Sequence, residues 1–144
     1  MHAVGEILQA KGHSVWSIAP EATVYAALEL MADKDVGALV VLESGQLAGM
    51  FSERDYARKI ILKGKASRET PVRDAMTARV VTVGPSETVA QCMALMTHHH
   101  IRHLPVLADG ELIGVISIGD VVKAIITEQA FMIEQLENYI AGRR

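Results

Sequence analysis

GMFSERD (Gly49–Asp55) returns further along the chain as GVISIGD (Gly114–Asp120). Each reads Gly, two apolar residues, Ser, two variable residues, Asp. The shift of 65 positions extends well beyond these stretches. It carries Pro20 onto Pro85, Thr23 onto Thr88, Val24 onto Val89, Met31 onto Met96 and Gly45 onto Gly110. No gap is needed between Val15–Ile60 and Val80–Ile125. The chain is therefore a tandem duplication, and the fold has to be read as one unit made twice.

Both copies parse alike. VWSI and VVTV are short β-branched runs, expected as strands that lead into a proline turn. Thr23 and Thr88 are expected helix caps. Val24, Ala27, Leu28 and Met31 fall on one helical face, as do Val89, Cys92, Met93 and Met96. GALVVL and HLPVL read as buried strands, ESGQ and ADGE as hairpin turns, and LAGMFS and LIGVIS as return strands. ERDYARKIIL and IGDVVKAIIT then start second helices. The expected fold is α/β, two β-α-β-β-α motifs related by pseudo-twofold symmetry, with a C-terminal helix. The expected boundaries are motif 1 at 1–64, a linker at 65–79, motif 2 at 80–128 and the terminal helix at 129–144. Phe131, Ile133, Leu136 and Ile140 give that helix an apolar side, expected to pack on the module or on a second chain.

Composition narrows the function. Half of the 144 residues are hydrophobic and the net charge is −3. A broad nucleic-acid-binding face is not expected at that charge, and six aromatic rings make no base-stacking platform. The lone Cys92 excludes an internal disulfide framework and reads as a small core residue. No apolar run is long enough to span a bilayer, and the N-terminal stretch lacks a signal peptide's apolar block, so the expected location is cytoplasmic.

A Ser and an Asp three apart at a helix start form a capping box. The same geometry suits a ligand. An ionised carboxylate only accepts hydrogen bonds, and the two hydroxyls of a ribose diol can both donate to it. Gly49 and Gly114 lack side chains, so a ligand could approach the backbone there. Acid at the helix start disfavours a phosphate placed directly on it, so cations are needed. Arg54, Arg102 and His103 are the candidates.

The duplicated unit, the Gly-x-x-Ser-x-x-Asp signatures, IGD and RHLPV resemble a tandem pair of cystathionine-β-synthase (CBS) domains, a Bateman module, of the small stand-alone bacterial type. The resemblance covers about Val4 to Ile126. It implies a non-catalytic regulatory module that binds AMP, ADP, ATP or NAD in clefts between the repeats. It implies ribose contacts from Ser52 with Asp55 and from Ser117 with Asp120. Adenine contacts would come from the backbone around Ala38-Leu39 and His103-Leu104, and phosphate contacts from Arg102 and His103. The family analogy sets the Ser52 cleft against Arg102-His103. It sets the Ser117 cleft against Gly37-Ala38, with room but no charge. The expected partners are the nucleotide, a second copy in a homodimer and a regulated protein of unknown identity, with no nucleic acid and no membrane.

Other features read plainly. His98, His99 and His100 diverge around a helix end, where cationic side chains are favoured, so no metal site is expected. No P-loop or dinucleotide fingerprint is present. Nothing pairs Ser52 or Ser117 with a base, which weakens the competing reading of a nucleotide-converting enzyme. A structural dimerisation module with vestigial clefts is the third reading.

Overall fold

The computed structural model describes residues 3–142. The chain divides into two compact units. One comprises Ser14–Val81 with Gly110–Leu112; the other comprises the chain up to His13, Thr82–Asp109 and the chain from Ile113 onward. They are called here the Ser52 unit and the Ser117 unit.

The Ser52 unit is built on a three-stranded sheet of order β1-β2-β3. Strand β1 (Ser17–Ile18) runs parallel to β2 (Ala38–Glu43), which pairs antiparallel with β3 (Gln46–Ser52). The β2–β3 turn has positive φ at both Ser44 and Gly45, as a two-residue primed turn needs. Helix α2 (Val24–Lys34) starts where the Thr23 hydroxyl accepts from the Ala26 N–H at 3.1 Å. It ends at Asp35, whose left-handed backbone stops the helix. Its Val24, Ala27 and Met31 bury against Leu39, Val41, Phe51 and Ile60. Truncating fully buried Phe51 to Ala is expected to cost about 3–5 kcal/mol. Helix α3 begins as one α-helical turn (Glu53–Asp55) and continues as a π-helical stretch (Tyr56–Ile61).

The Ser117 unit holds helix α1 (Val4–Lys11), helix α4 (Val89–His99), the β4–β5 hairpin (His103–Ala108 and Glu111–Ser117) and helix α5 (Ile118–Ile140). Thr88 caps α4 through a capping box with Gln91. Buried Val89, Cys92 and Met96 are the expected apolar face. The hairpin turn again has two positive φ values, at Asp109 and Gly110. His98 and His99 close α4, and His100 takes the left-handed capping position. Among the described residues no cluster of His, Cys, Asp and Glu is arranged to hold a metal ion.

The α/β architecture of two tandem motifs with a C-terminal helix is as expected. Three details differ. Residues 80–83 do not form a strand; only Val83 bridges, to Val106. The reason lies at Pro105. In the Ser52 unit the Val40 N–H donates to Trp16 O at 3.1 Å, but the matching position is Pro105, which has no N–H to give. Secondly, the stretch expected as a linker is partly core. Val72 and Ala75 are fully buried in the Ser52 unit, and Val72–Asp74 forms a 3₁₀ turn. Thirdly, no break falls at 128–129. Helix α5 runs unbroken for 23 residues to Ile140.

The second difference exposes a repeat element outside the 65-residue register. Val4 N donates to Glu87 O and Gly5 N to Pro85 O. Val72 N donates to Ala22 O and Arg73 N to Pro20 O. Ala22 and Pro20 are the repeat equivalents of Glu87 and Pro85, so Val4 and Val72 are equivalents too, now 68 positions apart. The segment that leads each copy in sequence is thus built into the unit formed by the other copy. By its contacts α1 therefore groups with residues 82–109 and not with the rest of the copy that it leads in sequence.

Candidate functional site: two Ser-x-x-Asp corners

Each unit carries one corner where a return strand becomes a helix. At the first, the Ser52 hydroxyl accepts from Asp55 N at 3.2 Å, and Asp55 Oδ2 accepts from Ser52 N at 3.0 Å. At the second, Ser117 accepts from Asp120 N at 3.2 Å, and Asp120 Oδ2 accepts from Ser117 N at 2.8 Å. Both are full capping boxes, which satisfy helix-start N–H groups that would otherwise lack partners.

The strand start beside each corner is fixed by its own unit. Glu53 N donates to Gly37 O at 3.1 Å, and Ile118 N donates to Arg102 O at 2.8 Å. Ala38 is the register partner of Ser52. Gly37, Ala38, Ser52, Arg54 and Asp55 are therefore gathered in one unit, with Arg54 exposed. Arg102, His103, Leu104, Ser117 and Asp120 are gathered in the other. Leu104 is fully buried, His103 half-buried and Arg102 exposed.

The glycines serve the fold instead of an approaching ligand. A Cβ on Gly49 would stand 2.7 Å from Thr77 O and 2.8 Å from Met76 Sδ. On Gly114 it would stand 2.7 Å from Leu8 Cδ2. In each unit the space above the glycine is filled by the leading segment, so the expectation of open backbone there is corrected.

That same segment supplies residues that sequence reading missed. Thr77 Oγ1 donates to Asp55 Oδ1 at 3.2 Å, and Lys59 Nζ sits 3.0 Å from the same oxygen. Both Asp55 oxygens are therefore engaged. At the other corner Lys11 Nζ reaches Asp120 Oδ2 at 2.7 Å and also donates to Val115 O at 2.9 Å. His13 Nδ1 lies 2.7 Å from Ile113 O on the same strand. Lys11, absent from the cations the sequence reading named, thus lies at the Ser117 corner. The Lys11 and Ser117 N–H contacts to Asp120 both fall on Oδ2, which leaves Oδ1 as an acceptor among the described residues. The signal was present in the sequence as Val4-x-x-x-Leu8 and Val72-x-x-x-Met76, but it lies outside the 65-residue register.

The titratable groups respond to this setting. Burial pushes the Asp120 carboxyl up, but the Lys11 hydrogen bond, the Ser117 N–H and the Lys11 charge together hold it below the usual value. Burial, with Lys11 second, lowers His103, so its imidazole favours the neutral form. Burial pushes the Cys92 thiol up to about 11, which makes it unreactive.

A chain made of two such motifs belongs to the CBS-domain family: the CBS domain model matches residues 4–62 and again 72–127. It is a tandem CBS pair, and such pairs are typically regulatory modules of signal-transduction proteins. It is 42% identical over 149 residues to a mitochondrial CBS domain-containing protein of Arabidopsis thaliana, covering 96% of this chain and 72% of that protein. It is similar to the solved structure of a CBS-domain protein from Burkholderia ambifaria. There the TM-score is 0.86 and the identity 48%, over 88% of this chain and 96% of that one. A CBS-domain protein of Agrobacterium tumefaciens gives a TM-score of 0.81 at 38% identity, over 85% and 98%. No helix among the described residues is long and apolar enough to cross a membrane.

Proposed function

We propose that this CBS pair is a non-catalytic sensor that binds an adenine nucleotide (AMP, ADP, ATP or NAD) through its Ser-x-x-Asp corners, acts as a homodimer in the cytoplasm and regulates a partner protein. The observation that carries the reading is the doubled capping box, which fixes a carboxylate at a helix start beside a strand of matched register. Such a carboxylate is held in place where it can accept from the hydroxyls of a ribose diol. Membership of a family of regulatory modules supports the non-catalytic part.

The two corners differ as ribose acceptors. At Asp55 a diol has to displace Thr77 or Lys59. At Asp120 it meets Oδ1, with Lys11 and Arg102 in the same unit as a source of positive charge. The sequence-based expectation gave the tighter AMP site to Ser52 and Asp55 and a roomier, NAD-tolerant site to Ser117 and Asp120. The hydrogen bonding favours Asp120 for AMP.

Calorimetric titration with AMP tests the choice. Asp120→Ala should lose more affinity than Asp55→Ala; the opposite order restores the sequence-based assignment. Thermal shift tests the function itself. Adenine nucleotide at about a hundred times its dissociation constant should add roughly 2.7 kcal/mol, with no matching shift from guanosine or cytidine nucleotides. Equal shifts with every nucleotide, or nucleotide consumed during incubation, overturn the reading.

A further inference from the structure

The end of α1 and the residues just after it lie along β5 through three side chains. Leu8 fills the space over Gly114, Lys11 donates to Val115 O at 2.9 Å, and His13 Nδ1 lies 2.7 Å from Ile113 O. Gly12 ends the helix between the last two, with a φ of 96°. Val4 and Leu8 are fully buried, so the helix itself is anchored in the core. The Lys11 side chain is thus fixed at its backbone and again at its ammonium. Using it for a further contact needs little additional ordering.

An ammonium has three N–H donors. One goes to Asp120 Oδ2 at 2.7 Å and one to Val115 O. The third has no partner among the described residues, and the side chain is 37% exposed, so it is open to a group from solution. The pairing with Asp120 has a second effect. A sugar hydroxyl bound at Oδ1 brings the rest of its nucleotide close to an ionised carboxylate, which repels a phosphate. Lys11 offsets that charge without taking Oδ1. The other cations of the unit are less well placed. Arg102 is exposed and makes no ion pair among the described residues, and burial holds His103 towards its neutral form. The Ser52 corner is built differently. Its pairing cation, Lys59, comes from the helix of Asp55 itself and shares Oδ1 with Thr77, so no carboxylate oxygen is left over.

We infer that Lys11 sets the ligand charge accepted at the Ser117 corner. Paired with Asp120 Oδ2, it leaves Oδ1 to a sugar hydroxyl, offsets the carboxylate's charge and offers its third N–H to an anionic group. The corner therefore takes a phosphorylated nucleoside in preference to the bare nucleoside. This deepens the proposed function and rests on nucleotide binding at that corner. It divides the work between two parts of the chain: Ser117 and Asp120 recognise the sugar, and the leading segment recognises the charge.

Calorimetric titration of the full chain with adenosine, AMP and ATP tests it. Wild type should bind AMP more tightly than adenosine. Lys11→Met should weaken AMP by on the order of tenfold, the lower end for a charge-assisted hydrogen bond because the site is partly exposed, and ATP by at least as much. Adenosine, which has no anionic group, should keep its affinity. Lys11→Arg keeps the charge and should retain most of the AMP affinity. Lys34→Met makes the same charge change beside Asp33 in the Ser52 unit and should leave all three affinities as they are. Thermal melts check that each variant is folded at the temperature of the titration. Equal losses for adenosine and AMP in Lys11→Met reduce Lys11 to a structural role and overturn the inference. Unchanged or tighter AMP binding in that variant overturns it too, the latter by making Lys11 a competitor for Asp120. Wild type that binds neither adenosine nor AMP overturns the proposed function, and this inference with it.

Discussion

The Ser52 and Ser117 corners share seven positions of pattern and the same capping box, but different structures hold them in place. The Ser52 corner is closed by a short turn whose backbone crosses Gly49, with Thr77 on the carboxylate. The Ser117 corner is closed by a two-turn helix whose side chains do the work, Leu8 on Gly114 and Lys11 on Asp120. One corner is pinned by backbone and the other by side chains, so the same substitution should have different consequences in each.

The largest difference is expected at the glycines. Gly49→Ala sets a methyl against the Thr77 carbonyl, which cannot move without breaking its own bridge to Met50. Gly114→Ala meets only the end of the Leu8 side chain, which can change rotamer. Overpacking costs typically about 1–3 kcal/mol, so Gly49→Ala should fall at or above the upper end and Gly114→Ala near the lower. Urea unfolding of both variants measures this, and equal losses remove the backbone-versus-side-chain distinction.

A smaller effect is expected at the charges. Lys11→Met removes the counter-charge of Asp120. The pair is partly exposed, with side-chain exposures of 37% and 22%, so the cost should stay near 1 kcal/mol or below. Thr77→Val, which removes a neutral hydroxyl from Asp55, should cost less. Chemical denaturation decides the order, and a larger loss for Thr77→Val reverses it.

The smallest effect is a pH dependence that arises at His103 and Asp120 of the Ser117 unit. His103 is lowered in the fold, so the unfolded chain binds its proton first. That contribution is whole above the unfolded value of about 6.5 and is lost as pH falls towards the folded value. Asp120 is also lowered, so its contribution is whole above about 3.9 and fades as pH falls further. His103→Gln should flatten the melting temperature between pH 7 and 5 and leave the drop below pH 4. A wild-type melting temperature that rises from pH 7 to 5 contradicts the sign.

Much of this was legible in the chain. The helix faces of Val24, Ala27 and Met31, the Thr23 and Thr88 caps, the primed turns at Ser44-Gly45 and Asp109-Gly110 and both capping boxes follow from local chemistry. They depend on residues a few positions apart, and the duplication states each of them twice. The reading went astray where the cause was distant. VVTV has the composition of a strand, but strand pairing also needs a donor on the neighbour, and Pro105 supplies none. VRDAMT looks like a connector because it lies in a polar, proline-containing stretch, yet Val72 and Ala75 are fully buried.

The sequence by itself determined that the protein is a duplicated CBS unit with two Ser-x-x-Asp corners, because period, caps and turns are short-range properties. Tertiary structure alone decided which leading segment serves which corner. Lys11 and Asp120 are 109 positions apart, and Thr77 and Asp55 are 22 apart. Local pattern carries no information at those separations. The pairing follows instead from backbone bonds such as Val4 to Glu87 and Val72 to Ala22, and from the two bare glycines that let each segment lie close.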